Sequence, residues 1–290
     1  HMHTNYLFLL LFYLISTLNI MSQKDVNKVD IKNILTEISK APSAQRIEKD
    51  IRTLADFGTR HTLSDTVSHV RGIGAARRWI KSEFEQISKD CNNCLEVSYH
   101  KGLAKKDDKR ITMDTWIVNV LAIQRGTVNP DRYVIMSGDI DSRISDVNNF
   151  TDDAPGANDN ASGMAGTMEA ARILSKYKFP VSIIYVGLSG EEQGLLGGKF
   201  LAETANEKGW HIIGVLNNDM IGNIEGIDGV VDNRSFRIFS EPTSVKLTEQ
   251  QRNGLRFYGG EADGPSRQLA RYVSSLSTEY LTSVEPMLIY

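Results

Sequence analysis

The middle of the chain alternates between apolar runs and amphipathic runs, and this alternation restricts the fold more than any other feature of the sequence. The apolar runs have the length of buried strands, and the runs between them repeat their apolar residues with a helical period. We predict strands at Trp116–Ile123, Tyr133–Met136, Val181–Leu188 and His211–Leu216, and helices at Gly163–Tyr177 and Leu195–Ala205. This order indicates an α/β domain in which a mostly parallel sheet is covered by helices on both faces.

The part of the chain before this alternation predicts two helices and one further strand. Ser43 can cap a helix that runs to about Phe57. Apolar spacing predicts a second helix over Val67–Ile87, and a strand follows at Leu95–His100. These elements add a helical layer and an edge strand to the α/β domain.

The first residues have the pattern of a secretion signal. Leu7–Ile20 is apolar and uncharged, with the length of a signal-peptide core, whereas a membrane-spanning helix needs about 20 apolar residues. The usual basic start is missing, and a buried helix or a lipid-facing anchor is the alternative. We expect residues 1–22 to be a signal peptide and residues 23–290 to form the domain. The protein would then be secreted or periplasmic, with no stable membrane insertion after removal of the signal.

The two cysteines agree with an oxidising compartment. Cys91 and Cys94 form CNNC, and no second pair is present to complete a zinc knuckle. A redox CxxC would open a helix after a strand, whereas this one follows a predicted helix and precedes a strand. The favoured interpretation is a local disulfide that closes the turn.

The charge of the chain argues against nucleic acid as a partner. Its 290 residues carry a formal net charge of −3, and no run of Lys or Arg is dense enough to follow a phosphate backbone. A hydrophobic content of 41% is enough for one large core. The length suits a single domain or at most two small ones.

Acidic residues follow three of the predicted strands at the points where these strands end. They are Asp139 and Asp141, Glu191 and Glu192, and Asp219, with Asp159 in the segment GANDNASG that leads into a helix. Each acid alone is explained as a helix cap or as a favourable charge at a helix N-terminus. Ligands of α/β sheets bind beyond the carboxyl ends of the strands, where carboxylates brought together repel one another. Because no Lys or Arg recurs at matching positions, the joint pattern predicts a divalent cation.

Four segments resemble a known family in their order and spacing: SGDIDS, GANDNASG, SGEEQGLLGG and NNDMIG. They are similar to the M28 family of co-catalytic zinc peptidases, over roughly residues 47–290. The resemblance implies a doubly wound α/β fold with a mixed central sheet, a peptide substrate, and two adjacent divalent metal ions, with zinc as the expected metal.

Carried over residue by residue, the resemblance implies a role for each acid. Asp159 would bridge the two metal ions, and Glu192 and Asp219 would each bind one of them. Glu191 would be the general base that takes a proton from the attacking water. Asp141 would orient the metal ligand two residues before it.

The chain departs from the family pattern at two metal ligands. The family has His where this chain has Asp139, which with Asp159 and Asp219 makes an all-oxygen site and favours Mn²⁺, Mg²⁺ or Ca²⁺ more than usual. A later His that pairs with the Glu192 position is missing, because all six histidines precede Asp219. We expect the domain to be incomplete at its C-terminus. The alternative is that His61, in the loop GTRHTLSD, reaches the site.

These observations predict a secreted metal-dependent exopeptidase, specifically an aminopeptidase that uses water activated by two metals. The alternative is a catalytically impaired domain of the same fold that serves in binding, which the Asp139 substitution and the missing His favour. Retention of both Glu191 and Glu192 argues against that alternative. Glutaminyl cyclisation on this scaffold would need a single zinc. Serine hydrolase chemistry is rejected, because Ser142 has no His partner in a motif.

Overall fold

The computed structural model describes residues 30–107, 109–242 and 246–290, so the predicted signal peptide lies outside the described residues. In these ranges helices and strands alternate along most of the chain. In chain order they are α1 (30–40), α2 (Ala44–Asp56), α3 (Gly72–Asp90), β1 (Leu95–Ala104), β2 (Thr115–Gln124), β3 (Asn129–Asp139), α4 (Gly163–Leu174), β4 (Val181–Leu188), α5 (Leu196–Glu207), β5 (His211–Asn217), β6 (Ser235–Phe239), α6 (Glu249–Phe257), α7 (Pro265–Tyr280) and β7 (Glu285–Ile289).

Five strands form one mixed sheet in the order β1-β2-β4-β3-β5. β3 pairs in parallel with β4 and with β5, whereas β2 is antiparallel to both β1 and β4. Four of the five strands therefore run in one direction and β2 runs against them. β6 and β7 pair in parallel as a separate two-stranded sheet.

Helices cover both faces of the five-stranded sheet, as predicted. Successive residues of a strand point to opposite faces, and β2 shows this directly. Val120 is buried in a cluster with Phe84 of α3 and Met168 of α4, whereas Leu121 lies in a cluster with Leu201 of α5. Burial of each such side chain contributes about 1.5–3 kcal/mol to stability. In the part of the chain that the structure describes, no helix combines the length and the apolar character needed to cross a bilayer.

The helix α3 begins five residues later than the predicted Val67, at Gly72. Asp65 Oδ1 accepts hydrogen bonds from the backbone N–H groups of Val67 and Ser68, at 2.6 and 2.9 Å. Ser68 Oγ then accepts one from the N–H of Arg71 at 3.1 Å. These local side-chain bonds offer the backbone an alternative to the helix and delay its start.

The predicted local disulfide is present. Cys91 and Cys94 are joined across the turn between α3 and β1, with their Cα atoms 5.5 Å apart. The bridge therefore connects the helical layer to the edge of the sheet at one point.

A network of charged side chains connects α2, α3 and α4. Glu169 on α4 accepts hydrogen bonds from the N–H of Ser43 at 2.7 Å and from Arg46 Nε at 3.0 Å. Arg172, one turn later, donates to Asp50 of α2 and to Glu83 of α3. Burial alone would raise the pKa of Glu169, but the hydrogen bonds from Arg46 and Ser43, with the positive charges of Arg46 and Arg172, lower it in sum.

We expect Glu169→Gln to lower the free energy of unfolding by about 2 kcal/mol at pH 7, because hydrogen bonds to a charged group contribute roughly 1.5–3 kcal/mol. A carboxylate with a lowered folded-state pKa stabilises above its unfolded value of 4.5 and loses that contribution as the pH falls through the folded value. The difference between wild type and variant should therefore shrink below about pH 4.5. Urea unfolding at several pH values measures it.

The matched control is Glu48→Gln, which removes an exposed carboxylate that pairs with Arg52 one turn away on α2. Exposed pairs of this kind contribute about 0–1 kcal/mol, so the variant should unfold close to wild type at every pH. An equal loss in both variants would show that the effect is not specific to Glu169.

Candidate metal centre

The predicted acids lie together at the carboxyl edge of the sheet. Asp139 is the last residue of β3, and the other acids follow the ends of β3, β4 and β5 within a few residues. Because these three strands are parallel neighbours, their carboxyl ends share one edge. Asp159 comes to this edge from the irregular turn Ala157–Ser162, which leads into α4.

Close contact between α4 and the end of β5 brings Asp159 and Asp219 to the same place. A Cβ atom at Gly163 would lie 2.1 Å from the carbonyl oxygen of Asn218, so only glycine allows this approach. Asn160 Nδ2 donates to the same carbonyl at 2.9 Å. The turn before α4 is thus held directly against the residues that carry Asp219.

Asp141 anchors the segment that carries the two glutamates. It is fully buried, and its oxygens accept hydrogen bonds from the backbone N–H groups of Glu191 at 3.2 Å and Glu192 at 3.1 Å. Thr62 Oγ1 donates to it at 2.9 Å. Burial raises the pKa of Asp141, and these hydrogen bonds oppose the rise. These contacts orient the backbone of the loop after β4. None of them is to Asp139, so the role of Asp141 in orienting that ligand stays a prediction.

Asp139 is buried to 5% exposure and accepts a hydrogen bond from Asn160 Nδ2 at 2.8 Å. Burial, followed by the negative charges of Asp141, Glu191 and Asp219, raises the pKa of Asp139 to about 8. Burial and the neighbouring negative charges thus favour the protonated form of this carboxyl group, and a bound divalent cation would oppose that preference.

The remaining acids affect one another in the same way. Burial raises the pKa of Glu191 to about 7, and the charges of Asp141, Glu192, Asp219 and Asp159 add to the effect. Burial likewise raises the pKa values of Glu192 and Asp219, and the charge of Asp159 contributes to both. Each of these carboxylates therefore lies within electrostatic reach of others, and their joint binding of metal stays a prediction.

Two arginines supply positive charge near these carboxylates, although no Lys or Arg recurs at matching positions in the sequence. Arg143 forms an ion pair with Glu192. Arg60 is 1% exposed and donates to the carbonyl oxygens of Ile140, Leu54, Pro155 and Gly156 at 2.6–2.9 Å. Burial lowers the pKa of Arg60 to about 10, although the negative charges of Asp141 and Asp159 act to raise it.

His61 does not reach the carboxylates as a ligand. It is fully buried, and Leu63 N–H donates to its Nδ1 at 3.1 Å. Its Nε2 lies 3.1 Å from the carbonyl oxygen of Val147 and 3.1 Å from the side-chain amide of Gln193. Both ring nitrogens are therefore engaged within the protein, and the alternative that His61 replaces the missing ligand has no support.

The residues fit a divalent metal by their chemistry more than by their present arrangement. In the described ranges, no group of three or more His, Cys, Asp or Glu side chains is arranged to hold a metal ion. The carboxylates nevertheless form an all-oxygen donor set whose mutual repulsion a cation would relieve, and oxygen donors suit hard divalent ions and are accepted by zinc. The residues that would hold metal are Asp139, Asp159, Glu192 and Asp219, and Glu192 would first have to leave Arg143.

If Arg143 competes with metal for Glu192, Arg143→Gln should tighten metal binding. The variant removes both the ion-pair partner of Glu192 and a positive charge that repels cations. Since hydrogen bonds between charged groups contribute roughly 1.5–3 kcal/mol, we expect about a tenfold lower Kd for zinc in the full-length protein. Competition with a chromogenic chelator measures it. Arg125→Gln, which breaks an exposed pair with Glu96, is the control and should leave the Kd unchanged.

Comparison with known sequences finds a match to a peptidase family in the part of the chain that forms this edge of the sheet. Residues 119–259, which contain all six acids, match the model of peptidase family M28. A "Probable zinc metalloprotease" of Pyrenophora tritici-repentis is 41% identical over 254 residues, or 86% of this chain and 52% of the relative. One of Pyricularia oryzae is 38% identical over 90% of this chain and 51% of its own length. The chain thus spans about half the length of these curated relatives.

Solved structures share the fold. The LapA aminopeptidase of Legionella pneumophila aligns with a TM-score of 0.63 at 18% identity, over 89% of this chain and 57% of that chain. A leucine aminopeptidase precursor from Bacteroides thetaiotaomicron aligns with a TM-score of 0.57 at 16% identity, over 86% of this chain and 78% of that chain. These alignments confirm the zinc-exopeptidase-like α/β fold.

Proposed function

This chain belongs to peptidase family M28, and from that membership we propose that it is the metal-binding part of an exopeptidase, specifically an aminopeptidase, that acts on peptides. The relatives named as zinc metalloproteases support a peptidase that uses zinc. The shared fold with LapA, an aminopeptidase, supports removal of N-terminal residues as the reaction to test first.

The observation that carries this proposal is the pair of hydrogen bonds that the backbone N–H groups of Glu191 and Glu192 donate to the carboxylate of Asp141. It places two adjacent glutamates beside the end of β3, with different partners available to each. Glu192 already pairs with a cation, the guanidinium of Arg143, whereas Glu191 has no ion pair among the described residues. These surroundings suit Glu192 to bind a metal ion and leave Glu191 free to act as a base.

The chain's own residues would divide the chemistry between binding and proton transfer. Two divalent metal ions held by Asp139, Asp159, Glu192 and Asp219 would supply positive charge and Lewis acidity at the peptide carbonyl. Glu191 would take a proton from the attacking water and pass it to the amine that leaves when the peptide C–N bond breaks. Zinc is the expected metal, and Mn²⁺, Mg²⁺ or Ca²⁺ are candidates on the side of Asp139.

A second candidate is a catalytically impaired domain of this family that serves in binding. The ion pair between Arg143 and Glu192 favours it, since an arginine at a ligand carboxylate can replace the metal's charge. In that case neither metal nor turnover should be found in the full-length protein.

Export is part of the proposal. The disulfide between Cys91 and Cys94 supports it, because disulfides persist in oxidising compartments. Detection of the mature protein outside the cell or in the periplasm, cleaved near residue 22, is the test. A protein that keeps residues 1–22 and stays in the cytosol contradicts export and leaves the peptidase proposal standing.

The test of activity is metal analysis and hydrolysis of aminoacyl p-nitroanilides by the full-length protein, before and after chelation. We expect bound metal, turnover of substrates with a free α-amino group, loss of turnover on chelation and recovery on addition of zinc. N-acetylated substrates should not be cleaved. Cleavage of blocked peptides at internal bonds would instead indicate an endopeptidase, and the absence of any metal and turnover would support the binding domain.

A further inference from the structure

A cavity lies beside the carboxylate cluster, at the same edge of the sheet. Because β2 runs against β4, its first residues lie next to the carboxyl end of β4. The cavity has a volume of about 620 Å³ and is formed by the loop before α3, the start of α3, β1 and the start of β2. The lining residues that matter here are Thr62, Arg77, Arg78, Tyr99, Lys101 and Trp116.

Arg77 is the unusual member of this lining, because it is buried and incompletely paired. It is 5% exposed, and the single hydrogen bond that its side chain makes within the described residues runs from Nε to Ser189 Oγ at 3.2 Å. Its Nη2 is shielded from solvent and has no hydrogen-bond partner in that part of the chain, and the same holds for Nε of its neighbour Arg78. These two shielded atoms do not border the cavity. Nη1 of Arg77 also makes no hydrogen bond among the described residues and is not shielded, and Arg77 lines the cavity, so an anion there that accepts from Nη1 would be favoured.

The carboxylates near this cavity are already engaged. Asp141 attracts the charge of Arg77, but its oxygens accept hydrogen bonds from Thr62 and from the backbone of the β4 loop. Asp114, on the lining, pairs with Lys105 at 2.7 Å. With two arginines and Lys101 on its walls, the cavity therefore presents an excess of positive charge.

The walls also provide an apolar surface. Trp116 lines the cavity and is 57% exposed, and Tyr99, Met113 and Leu63 lie on the same lining. Pockets for small ligands combine such surfaces with a few polar groups that fix orientation, and guanidinium groups match the geometry of carboxylate and phosphate oxygens.

We propose that this cavity binds a small organic anion, whose carboxylate or phosphate group pairs with Arg77 and whose apolar body packs against Trp116. The site is separate from the residues assigned to metal binding and proton transfer. It is nevertheless coupled to them by contact, since Thr62 lines the cavity and donates to Asp141, while Ser189 accepts from Arg77 and stands two residues before Glu191. An occupant would therefore touch Thr62 directly and would act on Ser189 through Arg77.

The experiment is calorimetric titration of the full-length protein with phenylacetate, phenyl phosphate and the neutral phenylacetamide. We expect both anions to bind with a Kd of about 1 mM or lower and the amide at least tenfold more weakly. Tighter binding of phenylacetate would identify a carboxylate as the natural group, and tighter binding of phenyl phosphate would identify a phosphate ester. The readout needs no metal and no turnover, so it is independent of the proposed function.

Variants assign the binding to this cavity. Arg77→Met should weaken the anions at least tenfold, whereas Arg52→Met, on the exposed face of α2, should not change their Kd. If Arg77→Met does not fold, Trp116→Ala and Lys101→Gln serve instead. Trp116→Ala should weaken phenylacetate several-fold with little effect on acetate. Equal binding of the amide and the anions, no binding up to about 10 mM, or binding unchanged in all these variants would overturn the proposal.

Discussion

We expect Glu191→Gln to lower kcat/KM for aminoacyl substrates by about 10³-fold in the full-length protein, with metal content and folded stability close to wild type. Gln keeps the shape of Glu but cannot accept a proton, and general bases typically contribute 10²–10⁴-fold to rate. The backbone N–H of residue 191 would still donate to Asp141, so the segment should keep its position. Steady-state kinetics, metal analysis and circular dichroism on the same preparation provide the measurement.

Two comparisons make this result specific to Glu191. Glu203→Gln changes an exposed carboxylate on α5 and should leave kcat/KM unchanged. Glu192→Gln should lose metal together with activity, because that residue is assigned to metal binding. Retention of more than about a tenth of the activity in Glu191→Gln would refute the assignment of Glu191 as the base, and loss of metal would make it a ligand instead.

The second large effect concerns folding. We expect Arg60→Met to lower the free energy of unfolding by about 3–5 kcal/mol, because four hydrogen bonds in the interior would be lost. The carbonyl oxygens of Ile140 and Pro155 would lose the donor described here, whereas those of Leu54 and Gly156 would keep a backbone donor. Urea unfolding, followed by circular dichroism, measures the change. Pro155 and Gly156 lead into the turn that carries Asp159, so the folded fraction should also bind metal more weakly.

Arg60→Lys and Arg52→Met calibrate the loss. Lysine restores the charge but offers one ammonium group to four carbonyl oxygens that surround a planar guanidinium, so it should recover less than half of the loss. Arg52 is largely exposed and pairs with Glu48 on the surface, and its replacement should cost less than about 1 kcal/mol. If Arg60→Met unfolds like Arg52→Met, the four hydrogen bonds do not contribute as proposed.

Most of the sheet could be predicted from the sequence, because buried strands and amphipathic helices leave different periodicities. The predicted strand Val181–Leu188 matches β4 at both ends. The predicted start of α3 was wrong, because the side chains of Asp65 and Ser68 accept hydrogen bonds from local N–H groups and so delay the helix. The direction of β2 could not be predicted from the sequence either, because an apolar run has the same pattern whether its neighbouring strands are parallel or antiparallel to it.

The acids of the candidate site could be predicted from where they stand in the chain, as each follows an apolar strand or precedes a helix. Their neutralising partners could not. Arg60 acts on carbonyl groups up to 96 residues away, and Arg143 pairs with a glutamate 49 residues later. No local sequence pattern marks such pairs. In the loop GTRHTLSD the sequence therefore suggested His61 as a site residue, whereas its neighbour Arg60 makes the hydrogen bonds to the carbonyl groups near the acids.

Because β2 runs against the other strands of the sheet, the connection between β1 and β2 is a place where relatives of this chain can differ in length. Its hairpin with β1 opens at the carboxyl edge of the sheet, where the acids lie, while the sheet register from Thr115 onward is fixed by pairing with Ala104 and its predecessors. Insertions between these strands could therefore reshape the approach to the carboxylates without disturbing the hydrophobic layers below. Length differences in this hairpin among homologues should accordingly follow differences in the size of the peptides that they accept.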